Sequence, residues 1–123
     1  MNIYGNGIDI IDITRMRSLI TKNKKFKERI FTKKEIKSCE KIKNKFACYA
    51  KKFAAKEAFT KALGTGVSNG LSLNEIEINN NHKGKPFLEL KNKSYRIVKM
   101  IIKKNFKVYL SLSDEKNYAV ASV

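Results

Sequence analysis

Two carboxylates stand where carboxylates fit poorly. Asp9 interrupts the run Gly7-Ile8-Asp9-Ile10-Ile11. Aspartate is disfavoured inside a strand, and this one follows Gly5 and Gly7, which let another backbone or a ligand come close. Glu57 lies in the alanine-rich stretch from Phe46 to Leu63. At about 100° per residue it shares a face with Phe46, Ala50, Phe53 and Ala54, with Lys61 one turn further on. A carboxylate in such a stripe needs a partner. Lys61 at i+4 could be that partner, or a backbone or hydroxyl donor, or a metal ion. Asp9 has its own plain alternative, an edge strand with its carboxylate turned to water. Asp12 has a similar alternative and lies nearer the strand end. Taken together, two acids from different elements among many lysines suit a hard divalent ion. Magnesium takes few protein carboxylates, keeps waters and completes its shell with phosphate oxygens.

Other chemistries find little. The chain has one histidine, His82, in a polar turn and without ligand partners, so it reads as a surface residue and supports no Ser-His-Asp grouping. There is no Walker loop and no GxGxxG. Cys39 and Cys48 lie nine apart with no CxxC and read as two reduced structural thiols of a cytoplasmic protein.

The charge is strong and uneven. Lys+Arg is 27 and Asp+Glu is 11, a formal net charge of +16 over 123 residues. Between Thr14 and Lys61 there are 17 basic and 4 acidic residues. That half should attract an anionic partner: nucleic acid, an acidic protein or a phosphate-rich small molecule. The excess is nearly all lysine, beside abundant Asn and Ile, a mixture that genome composition alone can produce. No apolar run is long enough to cross a bilayer, and the first residues lack a basic leader followed by an apolar stretch. Cytoplasmic location, no membrane and one domain over 1–123 are therefore expected.

The elements that must position these residues follow from pattern. Residues 2–13 read as a strand. Thr14 caps a helix over 15–22, a short helix covers 26–31, and Thr32-Lys33-Lys34-Glu35 is a capping box opening a helix to about Lys43. The helix from Phe46 to Leu63 stops at Gly64-Thr65-Gly66. Strands are expected at 71–79 and 87–90 around a turn, with Pro86 at the start of the second. A helix at 93–104 and strands at 106–113 and 118–123 complete the order β-α-α-α-β-β-α-β-β. Short late links predict an antiparallel sheet packed with helices, an α+β fold.

At this point the residues resemble a family: holo-acyl-carrier-protein synthase, the small type of phosphopantetheinyl transferase. The resemblance spans essentially the whole chain. It rests on Gly7-Ile8-Asp9-Ile10; on Phe53-Ala54-Ala55-Lys56-Glu57-Ala58 with Lys61-Ala62 and Gly64-Thr65-Gly66; on Leu71-Ser72; on Gly84-Lys85-Pro86; and on Ser111-Leu112-Ser113 before Tyr118-Ala119-Val120-Ala121. It implies a magnesium-dependent enzyme that transfers the 4′-phosphopantetheine of coenzyme A to a serine of apo-acyl carrier protein, releasing 3′,5′-ADP, in support of fatty acid biosynthesis. It implies that Asp9 and Glu57 hold the ion and that Lys61 contacts a phosphate at the reaction centre. Lys52 and Lys56 become candidates for further phosphate contacts, and Gly66, Lys85, Pro86 and Ser113 for framing the coenzyme. Glu57, directly or through a water on the ion, is the candidate general base. Arg15 and Arg17, with Lys22, Lys24 and Lys25, are the choice for docking the acidic carrier protein. Relatives are typically homotrimers with active sites between subunits, and some carry a histidine where this chain has Asp114. The reading from another class is a small basic nucleic-acid-binding module; it has little beyond charge and leaves Asp9 and Glu57 unexplained.

Overall fold

The computed structural model describes residues 2–64 and 70–123. Its elements run β1 (Ile8–Asp12), α1 (Ile13–Lys22), α2 (Lys24–Ile30), α3 (Lys33–Glu40), α4 (Lys45–Leu63), a short 3₁₀ turn (Leu73–Glu75), β2 (Ile76–Asn80), β3 (Pro86–Leu90), α5 (Asn92–Ile102), β4 (Ser111–Asp114) and β5 (Tyr118–Ser122). This is the expected α+β class, and the four helices read before the second strand are all present, one more than the order β-α-α-α-β-β-α-β-β counts. All pairings are antiparallel: a three-stranded sheet in the order β1-β5-β4, and a separate β2-β3 hairpin.

Local chemistry explains most boundaries. The capping box is present as read, with Thr32 Oγ1 accepting from Glu35 N at 3.1 Å and Glu35 Oε1 accepting from Thr32 N at 2.9 Å. Such caps contribute about 1 kcal/mol. Asp12 rather than Thr14 caps α1, because its Oδ1 accepts from Thr14 N at 2.8 Å and Arg15 N at 3.3 Å. Gly64 ends α4 with φ +82°, the left-handed turn that costs glycine nothing. The stretch expected as one strand over 71–79 splits into the 3₁₀ turn and β2. The strand expected over 106–113 is paired only from Ser111, although burial still alternates along 106–110.

The core lies around α4, which packs against β1 and β5. Its alanines 50, 54, 55 and 58 are fully buried. Small residues here let the first strand come unusually close. A Cβ on Gly7 would lie 2.0 Å from the Ala58 carbonyl oxygen, and one on Gly5 2.1 Å from that of Ala62. No side chain fits either gap, so both glycines are required by backbone approach. Gly7 and Val123 also exchange both backbone hydrogen bonds at 2.8 Å, which fastens this lead-in to β5.

The cysteines correct the sequence reading. Cys39 and Cys48 are joined in a disulfide. They sit in the last turn of α3 and the first turn of α4, and the short link between the helices brings their Cα atoms to 5.5 Å, within bonding range. The same corner is tied by Tyr49 donating to Glu40 Oε2 at 2.6 Å.

The glycine contact yields the first prediction. Gly7→Ala should lower the stability to urea by at least about 2 kcal/mol, since overpacking against a backbone leaves only main-chain movement as relief. An unchanged urea midpoint would mean that β1 does not lie so close to α4.

Candidate active site

Asp9 does not point to water. In β1 it shares a sheet face with Ile11, and across the ladder with Ala121, Ala119, Leu112 and Asp114. That face is covered by α4: Ile11, Ala119 and Ala121 are buried, and the Asp9 side chain is only 16% exposed. The isoleucines on either side face outward instead, Ile8 at 64% and Ile10 at 62% exposure. The pleat is thus inverted relative to simple amphipathic expectation, with the acid inside and the aliphatics outside.

α4 brings the other two groups. Lys61 Nζ donates to Asp9 Oδ1 and to the Ile8 carbonyl, each at 3.0 Å. It therefore bonds to the strand acid rather than to Glu57 one turn earlier. Among the described residues no hydrogen bond satisfies the half-buried Glu57 carboxylate. Burial raises its pKa above the usual carboxylate range; the Asp9 charge adds to that shift and Lys61 opposes it. The two acids are close enough for the charge of Asp9 to act on Glu57, and Lys61 acts on both. Among the described residues no third Asp, Glu, Cys or His joins them. A donor set of two carboxylates with open positions fits an ion that retains waters or takes phosphate oxygens.

The other lysines of α4 divide. Lys56 points into the core, with no exposed side-chain surface. Its ammonium donates to Glu35 Oε1 at 2.6 Å, Ile30 O at 2.6 Å and Leu73 O at 2.9 Å. All three protons are used, so the expectation that it contacts a phosphate is corrected. Lys52, also buried, donates one proton to Ile78 O at 2.8 Å. It lines a cavity of about 340 Å³ with Cys48, Lys51, Asn80 and Asp114. Among the described residues its ammonium has no other hydrogen-bond partner. Lys51 pairs with Asp114 at 3.1 Å.

Among the described residues none of the remaining expected site residues is hydrogen-bonded to Asp9. Ser113 lies opposite Val120, on the sheet face turned away from α4, and is exposed. Lys85 and Pro86 belong to the turn of the β2-β3 hairpin, where Asn81 Oδ1 accepts from the backbone of Lys83 and Lys85 at 2.9 Å. Gly66 lies outside the described residues. Arg15, Arg17, Lys22, Lys24 and Lys25 are all exposed on α1 and the start of α2, directly after the Asp9 strand. The Arg17 guanidinium stands 5.0 Å over the Phe46 ring, which holds it in place. Sequence reasoning missed Glu35 as more than a cap. The signal was available: Lys52 and Lys56 at i and i+4 on the buried side of an alanine-rich helix demand buried acceptors.

Burial, with the Asp9 charge adding to it, makes an ionised Glu57 costly to the fold. A carboxyl held above its ordinary pKa weakens the fold as pH rises from the normal carboxylate range through the raised value, because the unfolded chain loses that proton more readily. At pH 7 without metal, Glu57→Gln should therefore melt a few degrees higher than the parent. Magnesium should raise the melting temperature of the parent and not of the variant. Differential scanning calorimetry checks both, and equal stabilisation of the two by magnesium would remove Glu57 as a ligand.

The chain is similar to known proteins over nearly its whole length. Residues 5–123 match the 4′-phosphopantetheinyl transferase superfamily. A holo-[acyl-carrier-protein] synthase of Clostridium tetani is 45% identical over 119 residues, covering 97% of this chain and 92% of that protein. The crystal structure of a holo-[acyl-carrier-protein] synthase from Neisseria meningitidis superimposes with a TM-score of 0.87 at 34% identity, over 98% of this chain and 96% of that one. A holo-(acyl-carrier-protein) synthase from Bacillus anthracis, solved in complex with CoA (3′,5′-ADP), superimposes at 0.79 with 36% identity, over 98% and 93%. With a family model matched over residues 5–123 and relatives matched over nearly the whole chain, this protein belongs to the 4′-phosphopantetheinyl transferase superfamily.

Proposed function

We propose that this protein transfers the 4′-phosphopantetheine of coenzyme A to a serine of apo-acyl carrier protein, in support of fatty acid biosynthesis. The observation that carries the reading is the Asp9–Glu57 pair, two half-enclosed acids from separate elements with Lys61 beside them. Relatives named holo-[acyl-carrier-protein] synthase, one of them solved with CoA (3′,5′-ADP), support the substrate. Asp9 and Glu57 would hold magnesium, which supplies charge withdrawal from the coenzyme's pyrophosphate when bound.

The chain's own residues supply the rest. The serine oxygen forms a bond to the phosphorus that carries the pantetheine arm, and the bond from that phosphorus to the bridging oxygen breaks. The products are the phosphodiester on the carrier and 3′,5′-ADP. The serine proton passes to Glu57, directly or through a water. Lys61, already held at the site by Asp9 and the Ile8 carbonyl, sets positive charge where negative charge grows on the phosphoryl oxygens. Lys52, beside its cavity, offers a further anion contact, and Arg15 and Arg17 offer the acidic carrier a docking surface. A nucleic-acid-binding role would leave the two acids opposing phosphate.

The same reading makes the protein a homotrimer with sites between subunits. Its support is the uncovered sheet face, where Ile8, Ile10, Val120 and Tyr118 lie together with three of them more than 45% exposed. Ser113 lies on that face too, so a neighbouring copy could bring it to the site of another.

Mass spectrometry of an apo-acyl carrier protein after incubation with this protein, coenzyme A and magnesium should show the gain of one phosphopantetheine. A chelator should abolish it, and Glu57→Ala should abolish it without unfolding the protein. No gain on any apo carrier would overturn the reading. By light scattering the parent should have three times the mass of the chain, and Ile10→Lys should run as a smaller species with reduced transfer. A monomeric parent would remove the shared-site arrangement.

A further inference from the structure

The β2-β3 hairpin joins β3 along one edge of β2 only. At the other edge the central residue, Ile78, turns its backbone N–H and C=O toward the helices, where a neighbouring strand would normally answer them. Two side chains take that place. Glu35 Oε2 accepts from Ile78 N at 2.7 Å, and Lys52 Nζ donates to Ile78 O at 2.8 Å. Glu35 is itself held from three sides. Its other oxygen accepts from Thr32 N at 2.9 Å and from Lys56 Nζ at 2.6 Å. Lys56 then reaches the carbonyls of Ile30 and Leu73 and lies 5.1 Å from the Phe31 ring. Both members of the ion pair are fully buried.

This lattice occupies a particular place. Lys56 is the residue next to Glu57 on α4, and Ile78 begins the run that leads into the turn at Lys85 and Pro86. That turn is stiff in itself. Asn81 N donates to Lys85 O at 2.8 Å, Gly84 N to Asn81 O at 2.9 Å, and Asn80 Nδ2 to Gly84 O at 2.9 Å. A stiff tip on a two-stranded hairpin moves as a unit, so its distance from α4 is set where β2 meets the helices. Ile76 and Ile78 are buried there, but apolar contact is non-directional and does not fix how far β2 slides along the helix. The two hydrogen bonds to Ile78 do.

We propose that Glu35, locked by Lys56, is a positioning residue that fixes the β2-β3 hairpin, and with it the Lys85–Pro86 turn, against the catalytic face of α4. The inference rests on the proposed transferase reading, in which that turn frames coenzyme A and α4 carries Glu57 and Lys61. Glu35 touches no reacting atom. It acts by keeping two halves of one binding site at a set spacing.

Glutamine is a sharp probe because the carboxylate receives donors on both oxygens. An amide has one acceptor oxygen, so its NH₂ must face a donor. The less costly orientation keeps the oxygen toward Thr32 and Lys56 and turns the NH₂ to Ile78 N–H, releasing the hairpin alone. Glu35→Gln should therefore raise KM for coenzyme A roughly tenfold while kcat changes less than about twofold and KM for the carrier protein stays as it was. The calorimetric Kd for coenzyme A should weaken in step, and amide exchange should quicken in residues 76–90 more than in α4. If Glu35→Gln lowers the melting temperature but leaves KM and Kd for coenzyme A unchanged, Glu35 is a stabilising residue only and the inference is overturned. Should Glu35→Gln fail to fold, the double variant Glu35→Leu with Lys56→Met replaces the buried pair by apolar groups, which cores tolerate. A folded double variant with parental Kd for coenzyme A would equally overturn it. A parent that neither binds coenzyme A nor transfers from it would take down the transferase reading and this inference together, a result unlike either of the others.

Discussion

Backbone meets backbone where β1 crosses α4, and the rest of the site depends on that contact. Gly5 and Gly7 place the lead-in of the strand against the carbonyls of Ala62 and Ala58. With the chain so close, Asp9 falls within reach of Lys61, and Glu57 faces the same point one turn earlier. Wider spacing would leave two separate surface acids. The alanines at 54, 55 and 58 serve the same end, because bulkier residues on that side of α4 would hold the sheet away. The approach half-encloses the acids, and burial first, then the Asp9 charge, holds Glu57 above its usual carboxylate range.

The pleat of β1 follows from this arrangement. One strand must send Asp9 and Ile11 to the helix, so Ile8 and Ile10 are sent the other way. A monomer gains nothing from aliphatic groups in water. Their exposure, continued by Val120 and Tyr118 on β5, matches the assembly proposed above, in which a neighbouring copy covers the face and shares its site. Arg15 and Arg17 emerge a few residues later, because Asp12 ends the strand and caps α1 in one step.

The lysines of α4 show how one residue type is divided by burial. Lys61 stays half in water and bonds to Asp9. Lys52 gives one proton to the fold and keeps two. Lys56 gives all three, and its pairing with Glu35 draws α2, α3, the 3₁₀ turn and β2 to one point. A buried pair of this kind adds little net stability, since desolvation offsets attraction. What it adds is direction, which apolar packing cannot supply.

The sequence by itself determined the class of fold, the capping box at Thr32, the end of α4 at Gly64 and the oddness of Asp9 and Glu57. Each of these is local: periodicity, a cap or a misplaced charge reads out within a few residues. Only the tertiary structure decided which lysine serves the site. A helical wheel sets Lys61 about 180° from Lys52 without saying which side is covered, and the roles of Lys52, Lys56 and Lys61 depend on carbonyls and acids 17 to 53 residues away. It also decided that Asp9 faces inward, since an alternating strand specifies two faces and not which one is covered. The joining of Cys39 to Cys48 belongs with these, because a spacing of nine says nothing until two helices turn their ends together. Local rules fix elements through short-range sterics and hydrogen bonds, whereas a charge finds its partner only through the packing that brings distant elements together.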